Sequence, residues 1–242
     1  MRTPDLRSQT FGVTESKSVS VTGVNRHSAA IHEGARLRHV GGIGYAVKNG
    51  LDRVAAAVIL VALAVPMLVI AIIVKLSSPG SVLVRQTRVG RFGRRFTFYK
   101  FRSMRADAEQ ARDELEPANH HGALTLFKIR RDPRVTRFGG FMRRTSLDEL
   151  PNLFNVLRGE MSLVGPRPPL PREVTHYEPH HMQRLAVKPG ITGLWQVRGR
   201  SELAFDEMVS FDLEYIERWS LWVDLKILLQ TPFVVASGRG AW

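Results

Sequence analysis

The chain has 242 residues, enough to bury a real core, and carries 35 Lys and Arg against 22 Asp and Glu for a formal net charge of +13. So basic a balance calls for an anionic counterpart: nucleic acid, an anionic membrane surface or a phosphorylated substrate. The absence of cysteine excludes disulfides and cysteine-ligated zinc and permits a reducing compartment.

Residues 1–45 are rich in Ser, Thr, Gly, Arg and His without a sustained apolar period, and read as a disordered basic tail with no signal-peptide core. Gly42 and Gly44 begin a dinucleotide-like fingerprint, but Val47 stands where its third glycine belongs and no strand precedes it. Residues 46–76 are the expected membrane element. Their centre, "VAAAVILVALAVPMLVIAIIV" (54–74), has no polar or charged side chain. At ~1.5 Å per residue it is long enough for a bilayer core of ~30 Å. Pro66 near its middle removes a helical hydrogen bond. Both flanks are basic, with Arg36, Arg38, Lys48 and Arg53 before and Lys75, Arg85 and Arg88 after. A spanning helix with a proline kink and a helix that breaks at Pro66 and returns both remain open, and two basic flanks are what the returning form requires.

Residues 77–242 read as a compact domain. Val82–Gln86 and Arg95–Phe101 suggest short strands joined by the Gly90–Gly93 turn. The charged stretch 105–116 predicts a helix, and 122–144 passes through Asp132-Pro133 into a basic amphipathic piece. Leu150, Leu153, Phe154 and Leu157 recur at helical spacing up to Gly159. Four prolines stiffen 166–171, 188–200 reads as loop and short strand, and helices are expected from Glu202 and over Asp224–Ala236. The fold class expected is α+β, mostly helical: a membrane-anchored monotopic domain with a proline-broken re-entrant helix, short strands and interfacial amphipathic helices.

The chemistry-bearing stretch is "TSLDELPNLFNVLRGEMSLVGPRP" (145–168). Ser146 and Glu149 fit a capping box, and Asp148 and Glu149 suit the positive end of a helix. The same pair beside Arg143, Arg144 and Arg167 also fits phosphoryl chemistry, which needs a metal ligand or nucleophile and guanidinium clamps on phosphate oxygens. The two readings are compatible.

Together with "SSPGSVLVRQTRVG", "FYKFRSM", "KPGITGLWQVRGR" and "WSLWVDLKILLQTP", that stretch makes the chain from about Lys48 resemble the bacterial sugar transferases, the polyprenyl-phosphate hexose-1-phosphate transferases. The ending "GRGAW" resembles the galactose- or glucose-transferring members, in a short form with one membrane segment. The resemblance implies a monotopic enzyme on the cytoplasmic face of the bacterial inner membrane. It would move a sugar 1-phosphate from a UDP-sugar to polyprenyl phosphate and release UMP. By motif, Asp148 would be the nucleophile, Glu149 would complete the dyad, and Mg²⁺ would sit against Asp148. Arg143, Arg167, Lys100 and Arg102 would line the site, with Arg200 and Asp212 toward the nucleotide. The family often has Ser before the membrane proline, where this chain has Val65. A homo-oligomer is left open.

The remaining motifs have plainer readings. His176, His180 and His181 read as a solvated loop rather than a metal site. Trp219 and Trp222 suit either the core or a helix in the membrane interface. A second reading, a non-catalytic binder of nucleic acid or anionic lipid, would use Arg130, Arg131, Arg134 and Arg137. No helix-turn-helix, zinc-finger or RNA-binding motif accompanies them, so nucleic acid is not an expected partner.

Overall fold

The structure, a computed structural model, describes residues 42–105, 107–108, 111, 115, 129, 132–238 and 240. The expected tail lies outside the described residues except at 42–45, where a helix has already begun. Most of the charged 105–116 stretch, together with Arg130 and Arg131, also lies outside them.

The apolar run forms two helices, α1 (Ile43–Ala62) and α2 (Ala64–Ser77), bent by 63°. The break falls at Leu63 rather than at the proline itself. Pro66 is the third residue of α2, where it lacks the N–H that would bond the Ala62 carbonyl, and a proline ring disfavours a straight helix through that carbonyl. Backbone bonds from Leu63 to Ile59 and from Met67 to Leu63, both 2.8 Å, carry the chain through the bend. Among the described residues no single helix is long and apolar enough to cross a membrane, whereas the bent pair is so by length and composition. Val54, Val58, Val61, Val65, Leu68, Ile72 and Leu76 are exposed along it.

One face of the pair is anchored to the rest of the chain. Ala56 packs in a core with Leu153, Val156, Met161 and Ile227, while Ile70 and Val74 pack with Phe101 and Met142. Beneath α1 lies a buried polar network. The Lys48 ammonium is 2.7 Å from Asp224 and 3.3 Å from Asp52. Ser162 donates to Asp52 at 2.6 Å, and Tyr215 and the Trp219 indole donate to Asp224 at 2.8 and 3.2 Å. Every member has a partner, which is the condition for burying charge without a large desolvation loss.

Strands β1 (Leu83–Val89) and β2 (Arg95–Phe101) pair antiparallel, with Leu83 opposite Phe101 and Val89 opposite Arg95. β1 runs three residues beyond the expected end at Gln86. Helix α3 (Arg137–Arg144) is capped by Thr136, whose hydroxyl accepts from Gly139 N–H at 2.9 Å. A 3₁₀ segment, Leu147–Asn152, leads into α4 (Leu153–Arg158), which ends at left-handed Gly159. Two three-residue strands, β3 (Ser162–Val164) and β4 (Gly190–Thr192), pair in parallel. Short helices α5 (Pro171–Val174) and α6 (Pro179–Met182) lie between them. Helices α7 (Leu194–Arg198), α8 (Phe205–Glu217) and α9 (Leu221–Ser237) complete a mostly helical α+β chain. The expected loop at 188–200 thus contains a helix as well as a strand.

The two tryptophans divide. Trp219 meets Tyr45 edge-on at 5.9 Å and belongs to the α1–α9 junction. Trp222 is 60% exposed on α9, in line with Leu225, Leu229 and Phe233, and Lys226 reaches over its ring at 5.4 Å.

Candidate active site

A cavity of about 210 Å³ opens where β2, α3, the 3₁₀ segment, the loop after β3 and α7 converge. Six of the eight residues singled out in the sequence line it: Lys100, Arg143, Asp148, Glu149, Arg167 and Arg200. With Arg88 they set five cations against two carboxylates, a surplus suited to an anion of more than two charges.

The dyad is not presented by a capping box. Ser146 has φ 54°, in the left-handed region, and its side chain caps nothing. Pro151 lacks the N–H that a continuous α-helix would need there; the dyad rides on a tight 3₁₀ turn and the α-helix starts only at Leu153. The segment is pinned to β2 by hydrogen bonds: Tyr99 N–H donates to Asn152 at 3.2 Å, and the Asn155 amide donates to the Thr97 carbonyl at 2.7 Å. The Ser146 hydroxyl instead accepts from Arg200 at 3.0 Å. Arg200 also has a positive φ, 53°. Non-glycine residues rarely hold this conformation, at a cost of ~1–2 kcal/mol each, and two of the three in the described chain meet here.

Burial governs the electrostatics of Asp148. Burial, followed by the neighbouring Glu149 charge, raises the Asp148 carboxyl from 3.8 to about 6, against the pull of Lys100 and Arg143. Lys100 is lowered to about 8, chiefly by burial and then by Arg88. The Arg143 Nη1 and Gln196 Oε1 atoms are buried without a protein partner, so a ligand group is the natural completion of both.

Arg88 escaped the sequence reading, where it was counted only among the flanking basic residues. Its guanidinium donates to Gln86 Oε1 at 2.7 and 3.0 Å and to the Pro168 carbonyl at 2.8 Å, and lies 5.1 Å over Phe98. Burial first and Arg167 second lower it to about 9, still protonated at neutral pH. Arg88 thereby ties β1 to the Gly-Pro-Arg-Pro turn that carries Arg167. Val89 N–H donates to the Pro169 carbonyl at 2.9 Å and strengthens the tie. The turn also packs backbone to backbone on "KPGITG": a Cβ on Gly190 would lie 2.1 Å from Gly165 N, and one on Gly165 2.5 Å from the Lys188 carbonyl. These two motifs, distant in sequence, are a single close approach in space, which explains their glycines.

Two residues assigned to the site are elsewhere. Arg102 turns to the end of α2 and donates to the Val74 and Ser78 carbonyls at 3.2 and 2.6 Å, satisfying acceptors that a helix terminus leaves open. Asp212 is fully buried in α8 against Arg184, which also donates to Tyr177 at 3.1 Å. Both act in the scaffold rather than in the cavity. The histidines need a correction too. His181 is buried: its Nδ1 accepts from Glu178 N–H at 3.0 Å, so Nε2 holds the proton and bonds Asp206 at 2.9 Å. With both nitrogens engaged, the His180–His181–Asp206 cluster is a poor metal site. His176 and His180 are exposed. Arg134 of the second reading is buried in an ion pair with Asp132 at 2.7 Å and is not offered to an outside phosphate.

The donor set facing the cavity suits magnesium, which takes one or two carboxylates and completes its shell with water and substrate phosphates. Asp148 and Glu149 supply hard oxygens of this kind on one wall.

The sequence matches a known class: the profile of the bacterial sugar transferases covers residues 43–238, and the chain belongs to that family. Among its relatives, the galactosyl transferase CpsE of Streptococcus agalactiae is 53% identical over 163 residues, 67% of this chain and 36% of that protein. The UDP-glucose:undecaprenyl-phosphate glucose-1-phosphate transferase of Xanthomonas campestris is 46% identical over 199 residues, 79% of this chain and 39% of that protein. The exopolysaccharide production protein ExoY of Rhizobium meliloti is 38% identical over 213 residues, 87% of this chain and 93% of that protein. The chain therefore spans about two fifths of the longer relatives and nearly all of ExoY.

Proposed function

We propose that the chain transfers a hexose 1-phosphate from a UDP-sugar to polyprenyl phosphate, as the first membrane step of an exopolysaccharide or related glycan. The observation that carries this reading is the burial of the Asp148 carboxyl among Lys100, Arg143 and the other cations of one cavity. The relatives' names, which include glucose and galactose phosphate transfer to undecaprenyl phosphate, support the substrate class.

In the first half-reaction an Asp148 oxygen attacks the sugar-bearing phosphorus. The bond from that phosphorus to the bridging oxygen breaks, and UMP leaves with the bond's electron pair. In the second, an oxygen of polyprenyl phosphate attacks the same phosphorus and Asp148 departs as a carboxylate. Arg143 and Arg167 hold phosphate oxygens in a fixed fork, Arg88 holds the turn that aims Arg167, and Lys100 offsets the charge gathering at Asp148. Asp148 and Glu149 would hold magnesium, which when bound neutralises diphosphate charge. The bent α1–α2 pair would enter and leave the bilayer on the cytoplasmic side, so that a soluble donor and a lipid acceptor meet at one cavity.

The test is a single-turnover assay with UDP-sugar and no acceptor. The full-length protein should release UMP in a burst near one equivalent and gain the mass of a hexose phosphate on the peptide bearing Asp148. Asp148→Asn should lose the burst by at least ~10³-fold while keeping its fold, because an amide is no nucleophile. A full burst from Asp148→Asn would overturn the assignment.

A further inference from the structure

A second cavity of about 250 Å³ joins the first, and the two share Ser146, Glu149, Ile191, Gln196 and Arg200 as a common neck. Beyond that neck the character of the wall changes. Its depth is built from Ile59 of α1, Leu153 and Leu163 behind the dyad, Val197 of α7, and Leu228 and Val235 of α9. The two threonines in this wall, Thr192 and Thr231, bond each other at 2.9 Å, and Thr231 also donates to the Ile227 carbonyl at 2.8 Å. Their polarity is spent within the wall, which leaves an apolar lumen. The lumen reaches α1 at Ile59, which is partly buried on a helix whose other faces are exposed and apolar.

A slot with a charged neck and apolar walls suits a ligand with an anionic head and a hydrocarbon tail. The first cavity already holds the cations and acids for a nucleotide sugar, so the slot is not needed for the donor. We infer that the groove between α1, α4, α7 and α9 receives the first isoprene units of the acceptor lipid, entering from the bilayer side of Ile59 and delivering its phosphate past Arg200 to Asp148. This rests on the transferase reading and adds to it the path of the lipid. Glu149 then faces both substrates: the diphosphate on the side of Asp148 and the arriving phosphate at the neck. The two half-reactions would share one phosphorus but use separate apolar and polar compartments.

The two half-reactions can be tested separately. Val235→Trp places an indole in the groove from the partly buried side of α9, away from the donor cavity. The UMP burst without acceptor should persist, and the KM for UDP-sugar should stay within about twofold. The kcat/KM for a long polyprenyl phosphate should fall by roughly tenfold or more, the scale at which a misfit in an apolar pocket acts. Transfer to the long acceptor at the wild-type rate would overturn the groove while leaving the donor chemistry standing. A missing burst in the wild type would overturn the transferase reading, and the groove with it. A second measurement does not depend on how the variant folds. Wild-type protein in vesicles would be cross-linked to a polyprenyl phosphate carrying a diazirine on its first isoprene. Label on 191–197 or 228–235 is expected, and label confined to the outer faces of α1 and α2 would overturn the proposal.

Discussion

At the scale of single residues, the site depends on holding a carboxylate where water would be preferred. Asp148 has an ordinary value of 3.8 and is raised to about 6, with burial the larger cause and Glu149 the next. Between those values the folded chain keeps a proton that the unfolded chain has lost, so stability falls as pH rises through this window. Above about 6 the penalty is complete, at roughly 3 kcal/mol by the conversion of pKa shift to free energy. Asp148→Asn removes the charge and should therefore be more stable than the parent at pH 7.5 without divalent metal, by on the order of 1–3 kcal/mol. The gap should close below pH 4. Thermal unfolding in detergent across that range checks this, and equal melting points at pH 7.5 would show that Asp148 is not strained by its burial. If Asp148 is the nucleophile proposed above, the donor half-reaction should slow on acidification, because only the carboxylate attacks, and bound magnesium should move that fall to lower pH than in the metal-free chain.

At the scale of elements, the site is an intersection of short pieces. Gly165 and Gly190 let two loops touch through their backbones. Gly190→Ala puts a methyl group where Gly165 N and the Thr192 carbonyl already lie, at 2.1 and 2.5 Å. Forcing these apart should cost about 1–3 kcal/mol or more and displace the turn bearing Arg167. The measurable result is a lower melting temperature together with loss of the UMP burst, and a variant normal in both would mean that the contact is slack. Much of this intersection is legible in the sequence. The alternation in "RFTFYKF" places β2 at its observed limits, and the motif order brings Lys100, Arg143, Asp148, Arg167 and Arg200 to one cavity. What was not legible has physical reasons. A capping box and a 3₁₀ turn share the pattern Ser-x-x-Glu, and only the left-handed Ser146 and the bond from Arg200 separate them. Arg88 sits in a strand that reads as one more basic segment, and its place depends on the Pro168 carbonyl, 80 residues away. Arg102 shares a motif with Lys100, yet unpaired carbonyls at the end of α2 claim it.

At the scale of the molecule, apolar residues cover the outer faces of both the bent pair and α9. Val54, Val58, Val61, Leu68 and Ile72 belong to the first surface, and Trp222, Leu229 and Phe233 to the second. If the pair enters and returns, both its ends lie on one side of the bilayer. Lys48 is a poor reporter of this because it is buried in an ion pair, whereas Gly50 has open space around it and Ser81 is exposed. Gly50→Cys and Ser81→Cys, each the sole cysteine in the chain, should react with a membrane-impermeant maleimide only after the cells are opened. Labelling of either in intact cells would establish a spanning helix.

The ion pair between Lys48 and Asp224 also bears on the order in which the protein is made. Its partners are 176 residues apart, and the lysine leaves the ribosome first. At ~5–20 residues per second its counter-ion follows roughly 10–35 s later. During that interval α1 carries a charge destined for the interior with only Asp52, one turn away, to offset it. Leaving half of a buried pair unmatched costs ~3–5 kcal/mol, a large share of the ~5–15 kcal/mol by which a folded domain is stable. If α1 lies in the membrane as proposed, the nascent helix has reason to stay at the lipid–water boundary, where Lys48 can remain hydrated, until α9 arrives. Closure of this junction is in this sense timed by α9, and a ribosome that stalls before α9 releases a product that cannot lock.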